Sequence, residues 1–548
     1  MRDVSRFFTA FLLSLVLIGF FGGCSKEETA DLDDLTPGDS DTAQSDNGLP
    51  DISDNTDGAG DDGDVIATDE LTDAADDLTS DEDDALTEEL PHDGDGLVID
   101  ETPDEDTGPL YDPRVEPALC GMTPYHWVQS PDLGKVLEVD QMFGSLTDIA
   151  QTSKAALTII KATLKNDKEV NLQRTPEYDT LVFRIRYRTQ DKGQLTDATG
   201  IVAIPMTGKT VPVLMVQHGT MGLGDPCSPS AGDELNGTAM VAALFASFGY
   251  IAIAPDYLGL KSMGTASTEL HSYLIGEPTA IASLDMIRAV PSFLDRPEVS
   301  IFGIDVQPGN AIISGGSQGG HAAAFTTRFA PYYAPELTIK GAVWGIPPTD
   351  MYRHAKRALN EYVPASGNTA LVFLSANDWY RDEPMMLSAV FNAPWDADLR
   401  PHALTSCDLD GPLEAAGVDT LEELFTPELL AAAQLDPFCD GFEPWLCYIK
   451  ENTLARSSVP RIDDIPAFMI LSANDTLVVP FIEREAFADL CDMGYQIQYR
   501  ECTGASHSDG FLWSLDDQLD WLDERYADTP MTDVCTIHPA VKCKSDPN

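Results

Sequence analysis

The apolar positions of the chain predict a sheet that begins with a hairpin of two strands and continues with strands that are apolar throughout. Residues 180–188 alternate apolar and polar side chains, the pattern of a strand with one buried face. Residues 198–205 form its predicted hairpin partner. The later apolar runs do not alternate, which is typical of parallel strands covered on both faces. These runs are 211–216, 250–254, 311–314, 339–344 and 465–471, and a final strand is predicted at 495–500.

Segments with helical character separate these runs, for example 239–248 and 279–290. Strands that alternate with helices indicate an α/β fold with helices on both faces of a mostly parallel sheet. The eight predicted strands have the number and order of an α/β-hydrolase sheet, which is the fold class we expect.

One interval, 345–464, is far longer than the helix and two loops that this fold needs there. It contains a helix-like segment at 421–435 and several aromatic residues beside polar neighbours: Trp379, Tyr380, Trp395 and Trp445. We expect a helical cap or lid over the active site at about 348–460, because long insertions in such folds are often functional. A separate domain without a catalytic role is the alternative.

Charge changes the interpretation of the N-terminal part. Residues 25–108 hold 32 Asp and Glu against the single Lys26, within a chain whose net charge is −58. Such a segment cannot bury enough apolar surface to fold, so we expect a disordered acidic linker. Residues 54–58 resemble calcium loops but lack the closing Glu of an EF-hand, and a solvated tether is the favoured interpretation. The hydrolase domain is predicted at 109–548; it is acidic, which argues against nucleic-acid binding.

The first 24 residues are typical of an export signal. Arg2 and Arg6 precede the apolar run 7–21, and the segment ends in Gly-Gly-Cys. It resembles a bacterial lipoprotein signal, in which Cys24 becomes the lipid-modified first residue and anchors the protein to a membrane. A plain signal peptide or an uncleaved anchor is the alternative, because Phe21 stands where that pattern prefers Leu, Val or Ile. We expect an exported protein, either an outer-membrane lipoprotein of the cell envelope or an extracellular protein.

Export to an oxidising compartment makes the other nine cysteines candidates for disulfides. The sequence suggests two pairs, Cys491 with Cys502 and Cys535 with Cys543. The odd number leaves at least one cysteine free or paired with another chain. The spacings typical of zinc ligands do not occur, so we predict neither a metal nor an organic cofactor.

The candidate nucleophile is Ser317, in the Gly-x-Ser-x-Gly pattern of residues 315–319. A buried strand is predicted before it and an Ala-rich helix after it, which is the context in which this turn presents a serine hydroxyl to a substrate. The alternative is a Gly/Ser-rich surface turn without chemistry.

A serine nucleophile needs a histidine base and a carboxylate that fixes the tautomer of the base. His507 is the predicted base, because it lies in a loop of small residues after the last strand. His354, His402 and His538 are weaker candidates. Two near-duplicate segments end in the candidate acids Asp378 and Asp475. We choose Asp475, which follows a predicted strand, and expect Asp378 to be structural.

The oxyanion hole needs two backbone N–H groups directed at the developing charge. Gln318, next to the nucleophile, is one expected donor, and Gly219 or Thr220 is the other. His218 and His321 are expected to be structural, and His271 is a candidate for the pocket wall.

These motifs resemble those of the secretory lipase family of yeasts and its bacterial α/β-hydrolase relatives. The resemblance rests on the segments 315–321, 218–220, 225–230 and 249–257, and it extends over roughly 175–525. It implies a triad of Ser317, Asp475 and His507 that cleaves a carboxylic ester, possibly of a lipid, under a helical lid. A serine peptidase of the same fold and a non-catalytic surface binding module are the alternatives. Acyl-chain length and oligomeric state stay open.

Overall fold

The computed structural model describes residues 127–142, 151–166, 168–232, 237–381, 386–408, 411–435, 442–462 and 465–548. The export signal with Cys24 and the acidic linker 25–108 lie outside the described residues.

The described chain forms one ten-stranded sheet. Its strands are β1 (Val136–Gln141), β2 (Gln151–Thr152), β3 (Thr180–Asp191), β4 (Gln194–Pro205), β5 (Thr210–Gln217), β6 (Ile251–Pro255), β7 (Gln307–Gly316), β8 (Ile339–Gly345), β9 (Ala467–Ser472) and β10 (Ile497–Cys502). The eight predicted strands are β3 to β10. The sequence analysis missed β1 and β2, which both pair with the outer side of β3.

The strands lie in the order β1-β3-β4-β6-β5-β7-β8-β9-β10, with β2 beside β3. From β6 onward each neighbouring pair is parallel, while β3, β4 and β6 pair in antiparallel fashion. The carboxyl ends of β5, β7, β9 and β10 therefore open at one edge, where a parallel sheet places its ligand sites. This is the arrangement expected for an α/β-hydrolase.

Fifteen α-helices are seen in the described part of the chain. They are α1 (Lys154–Asn166), α2 (Gly237–Ser247), α3 (Gly276–Leu294), α4 (Pro297–Ser300), α5 (Gln318–Tyr333), α6 (Met351–Ala358), α7 (Pro364–Tyr380), α8 (Trp395–Thr405), α9 (Gly411–Ala416), α10 (Leu421–Leu424), α11 (Pro427–Ala433), α12 (Trp445–Glu451), α13 (Pro480–Asp492), α14 (His507–Trp513) and α15 (Leu515–Tyr526). Both predicted helices, at 239–248 and 279–290, are confirmed as parts of α2 and α3.

Helices cover both faces of the sheet, and successive residues of one strand enter different cores. Met215 of β5 packs in a cluster with Phe293 of α3 and Phe325 of α5. Its neighbour Leu214 belongs to the cluster on the opposite face, with Phe245 of α2. This double burial is why the central strands show apolar runs without alternation.

The described residues between β8 and β9 are mostly helical and have a core of their own, which includes Phe373, Phe425 and Trp445. The single helix-like segment predicted at 421–435 is wrong in detail, because α10 and α11 are separate. Phe425 is extended and bridges to Phe391, and the next helix begins at Pro427, which has no N–H to continue an earlier helix. The limits of the cap, about 348–460, stay a prediction.

All four predicted disulfide cysteines are oxidised, but the predicted pairing is wrong. Cys491 pairs with Cys535, and Cys502 pairs with Cys543. The C-terminal segment runs beside the edge strand β10, where Val541 bridges to Cys502, so each tail cysteine meets a partner in the body of the domain. A third disulfide joins Cys227 to Cys407, 180 residues apart.

Among the described residues, no helix has both the length and the apolar character needed to cross a bilayer.

The Cys227–Cys407 disulfide ties the loop after β5 to the segment after α8 and closes the longest loop of the three. Because entropic stabilisation by a disulfide grows with loop length, we expect the double variant C227A/C407A to lose about 5 kcal/mol of unfolding free energy. The variant C491A/C535A, whose disulfide spans 44 residues, should lose about 1 kcal/mol less. Urea unfolding of both variants measures this, and a C227A/C407A variant as stable as the wild type would contradict it.

Candidate active site

Ser317 lies in a sharp turn between β7 and α5. Its φ is 56° and its ψ −119°, a conformation that a non-glycine residue adopts only where the surrounding structure enforces it. The turn is held by the N–H of Ser317, which donates to the carbonyl oxygen of Gly345 on the neighbouring strand at 2.9 Å. The side chain of Ser317 is therefore raised above the carboxyl edge of the sheet.

The glycines on either side of the serine are required by close backbone contacts. A Cβ atom at Gly319 would lie 2.0 Å from the carbonyl oxygen of Gln217, and one at Gly315 would lie 2.1 Å from that of Gly319. Real Cβ atoms do not approach other atoms so closely. The Gly-x-Ser-x-Gly pattern is thus explained by the packing of this turn against the end of β5.

The loop after β10 brings His507 to the same edge. His507 is the first residue of α14, whose N-terminus is capped by Ser506 with Asp509. Gly510 lets α14 approach β9, because a Cβ there would lie 1.8 Å from the hydroxyl of Ser472. The imidazole is 12% exposed and its Nε2 lies 2.9 Å from the Ser317 hydroxyl.

Asp475, in the turn after β9, holds the other side of this imidazole. Its Oδ2 lies 2.7 Å from Nδ1 of His507, and its Oδ1 accepts hydrogen bonds from the N–H groups of Leu477 and Val478 at 2.9 and 3.0 Å. The carboxylate can only accept, so Nδ1 carries a proton and Nε2 presents its lone pair to Ser317. The side chain of Asp475 is 1% exposed, which keeps water from competing for this pair.

The twin aspartate, Asp378, lies elsewhere and is structural. It is part of helix α7, where its carboxylate pairs with Arg400 at 2.6 Å and accepts a hydrogen bond from the N–H of Leu270. Its side chain bonds to neither His507 nor Ser317.

The predicted oxyanion donors lie beside Ser317. Gln318 is the first residue of α5, so its N–H has no acceptor within the helix. Gly219 and Thr220 lie in the loop directly after β5, which packs against the serine turn. The hydroxyls of Thr220 and Tyr273 are hydrogen-bonded to each other at 3.0 Å, and the side-chain amide of Asn368 on α7 donates to the Tyr273 hydroxyl at 2.9 Å. This chain connects the predicted oxyanion loop to a helix of the insertion.

Three further histidines near the site are buried. Burial lowers the pKa of His218 to about 4, that of His321 to about 4 and that of His271 to about 3. All three are therefore neutral at pH 7. His218 and His321 bond to backbone carbonyls, as expected of structural residues. His271 does not line the pocket: it is fully buried, and its Nε2 contacts the amide of Gln318 at 2.5 Å.

The three weaker candidates for the base have other partners. His402 and His538 bond to Asp408 and Asp533 away from Ser317. His354, on α6, lines the same cavity as Ser317 but bonds to Glu483. The sequence analysis considered His354 only as a weaker candidate for the base and assigned no role to Tyr273 or Asn368, because nothing in their local sequence shows that they line a cavity with the nucleophile.

The chain resembles lipases and esterases in sequence and structure. The secretory lipase family matches residues 235–399. A protein of Mycobacterium tuberculosis named "probable inactive lipase" is 26% identical over 378 residues, covering 65% of this chain and 77% of that protein. The matched family segment contains Ser317 and ends before Asp475 and His507.

Two solved structures show the same fold. The rice cell wall degrading esterase of Xanthomonas oryzae superposes with a TM-score of 0.55 at 19% identity, covering 72% of this chain and all of that one (100%). Lipase A of Candida antarctica superposes with a TM-score of 0.55 at 16% identity, covering 75% of this chain and 86% of that one. The α/β-hydrolase fold and the resemblance to the secretory lipase family are thereby confirmed.

The close contact at Gly319 predicts that this position tolerates no side chain. We expect G319A to reduce kcat at least about 100-fold, because a methyl group against Gln217 displaces the serine turn and its oxyanion donor. Gly208 is the matched control, since a Cβ there would meet no atom within 4 Å. Steady-state ester hydrolysis measures both variants, and a G319A variant as active as G208A would contradict the packing argument.

Proposed function

We propose that this α/β-hydrolase, which resembles the secretory lipase family, is a serine carboxylic-ester hydrolase. The observation that carries the proposal is the unbroken chain of hydrogen-bond distances from Ser317 through His507 to Asp475, 2.9 and 2.7 Å long. A serine hydroxyl becomes nucleophilic when a neutral imidazole of fixed tautomer can take its proton.

The proposed reaction begins when the Ser317 hydroxyl oxygen attacks the ester carbonyl carbon and His507 accepts the hydroxyl proton. The oxyanion that forms would be stabilised by the N–H of Gln318 and by that of Gly219 or Thr220. His507 then donates its proton to the leaving alcohol, which leaves the acyl group on Ser317. A water molecule, deprotonated by His507, releases the acid and restores the serine.

The helices between β8 and β9 are the proposed lid over this site. Residues of α6 and α7 line the cavity in which Ser317 lies, and that cavity holds only about 40 Å³. This enclosed volume is smaller than an ester, so the cavity would receive part of a substrate only after it widens. We propose that these helices move apart to admit substrate, as lids of other hydrolases do.

The proposed place of action is outside the cytoplasm. The disulfides of the domain suit an oxidising compartment. We propose that Cys24 is lipid-modified and that residues 25–108 hold the hydrolase away from the membrane surface.

Substitution of Asp475 and of Asp378 tests which of the two is the catalytic acid. We expect D475A to lower kcat by about 10⁴-fold, the usual cost of losing the carboxylate that fixes the histidine tautomer. D378A should lower kcat less than about tenfold, because it removes the partner of Arg400 and of the Leu270 N–H but no contact with Ser317 or His507. Both variants are assayed on the same ester after their folding is checked by circular dichroism. The reverse ranking would show that Asp378 is the catalytic acid.

Substrate class is tested with p-nitrophenyl esters from acetyl to palmitoyl, beside an aminoacyl anilide. We expect hydrolysis of the esters by the wild type, none by S317A, and no cleavage of the anilide. The chain length with the highest kcat/KM separates an esterase from a lipase. Cleavage of the anilide alone would favour a peptidase, and inactivity on all substrates would favour a binding module.

A further inference from the structure

The wall of the cavity beside Ser317 contains both apolar side chains and a buried imidazole. Most of its lining is apolar. These residues come from α6, α7, the segments that precede α3 and α6, and the loop after Asp475: Leu274, Pro348, Met351, Ala355, Val372 and Leu477. Set into this wall is the imidazole of His354, whose side chain is 7% exposed. A buried imidazole in an apolar wall needs a reason, because burying a polar group without a partner costs free energy.

The imidazole of His354 has a partner in the carboxylate of Glu483 on α13, whose side chain is fully buried. Its Oε1 lies 3.0 Å from Nε2 of His354 and also accepts the N–H of Asp350 at 3.2 Å, while its Oε2 accepts the hydroxyl of Thr349. The carboxylate accepts from Nε2–H, so the ring presents Nδ1 as an acceptor in its neutral form. Glu483 thus fixes the tautomer of His354 as Asp475 fixes that of His507.

One acceptor on the cavity wall is left without a partner. Nδ1 of His354 makes no hydrogen bond to any described residue, and the described residues do not enclose it, so open space lies beside it. Gln318 also lines the cavity, but its unpaired side-chain Oε1 is enclosed by protein atoms. Buried polar groups are normally satisfied, so the position beside His354 Nδ1 suits a ligand that carries a hydrogen-bond donor.

The position of the cavity relative to His507 indicates which part of an ester it receives. Ser317 and Gln318 line the cavity, but His507 is not among its described lining residues. The leaving alcohol must lie next to Nε2 of His507, which protonates it. Because Ser317 lines the cavity and His507 does not, we assign the cavity to the acid part of the ester.

We propose that this cavity is an acyl subsite that recognises a hydroxyl group, so that the preferred substrates are esters of hydroxylated carboxylic acids. The inference rests on the proposed function. A hydroxyl is the smallest neutral donor that an acyl chain can carry, and it would bond to His354 Nδ1 while the carbon chain packs on the apolar wall. A site built to hydrogen-bond a hydroxyl discriminates strongly against the analogue that lacks it.

The test compares ethyl hexanoate with its 2-, 3- and 6-hydroxy counterparts in a pH-stat assay of the full-length protein. Each kcat/KM is divided by the rate constant for alkaline hydrolysis of the same ester, which removes differences in chemical reactivity. We expect at least one hydroxylated ester to exceed ethyl hexanoate by roughly tenfold, about the worth of one hydrogen bond to a buried acceptor.

His354→Leu should abolish this preference while hydrolysis of ethyl hexanoate continues. His354→Gln, which keeps a donor for Glu483 and a side-chain acceptor, should retain part of it. Lys356→Ala is the control on the same helix, because Lys356 does not line the cavity, and it should leave the preference unchanged. If His354 has only a structural role, its substitution should lower the melting temperature without changing the ratio of the rates for hydroxylated and unsubstituted esters.

The outcomes separate the two proposals. A wild type that hydrolyses no ester would refute the proposed function itself. A wild type that hydrolyses ethyl hexanoate at least as well as every hydroxylated ester would overturn the hydroxyl subsite alone, and this result needs no variant to fold. An unchanged preference in His354→Leu would remove His354 from the assignment.

Discussion

The hydrogen bond between Asp475 and His507 is the interaction on which the proposed chemistry depends. It fixes which ring nitrogen carries the proton, and it would stabilise the imidazolium formed when Ser317 is deprotonated. The carboxylate is held by two backbone N–H groups of its own turn and is shielded from water, so its orientation is set before any substrate arrives. Asn or Ala at this position would leave the same serine and histidine without a defined tautomer.

The fold and the meeting of Ser317, His507 and Asp475 at one edge could be predicted because each depends on strong local signals. Doubly buried strands appear as apolar runs without alternation, and the segments after β7 and β10 are rich in small residues. Gly315 and Gly319 are required by backbone atoms less than 2.2 Å from a hypothetical Cβ, so the glycine pattern directly reflects the turn. Parallel strands then bring their carboxyl ends to one edge, which places Ser317, Asp475 and His507 together without further information.

Features that depend on tertiary context could not be predicted in the same way. Residues 373–378 and 470–475 have nearly the same sequence, yet the first lies in helix α7 and the second forms the end of β9 and its turn. Neighbouring segments decide this: Pro364 begins a long helix, whereas residues 467–472 pair between β8 and β10. The disulfide pairing and the position of His354 likewise depend on contacts between segments far apart in the chain. No local spacing encodes them.

The central claim, that His507 and Asp475 activate Ser317, is tested most directly without knowledge of the natural substrate. A fluorophosphonate reacts with a serine only when its hydroxyl is activated, and mass spectrometry of the digested protein identifies the modified residue. The account predicts one phosphonate per chain on Ser317 in the wild type and strongly slowed labelling in H507A and D475N. Folded wild-type protein that stays unlabelled, or that is labelled equally fast in H507A, would contradict it.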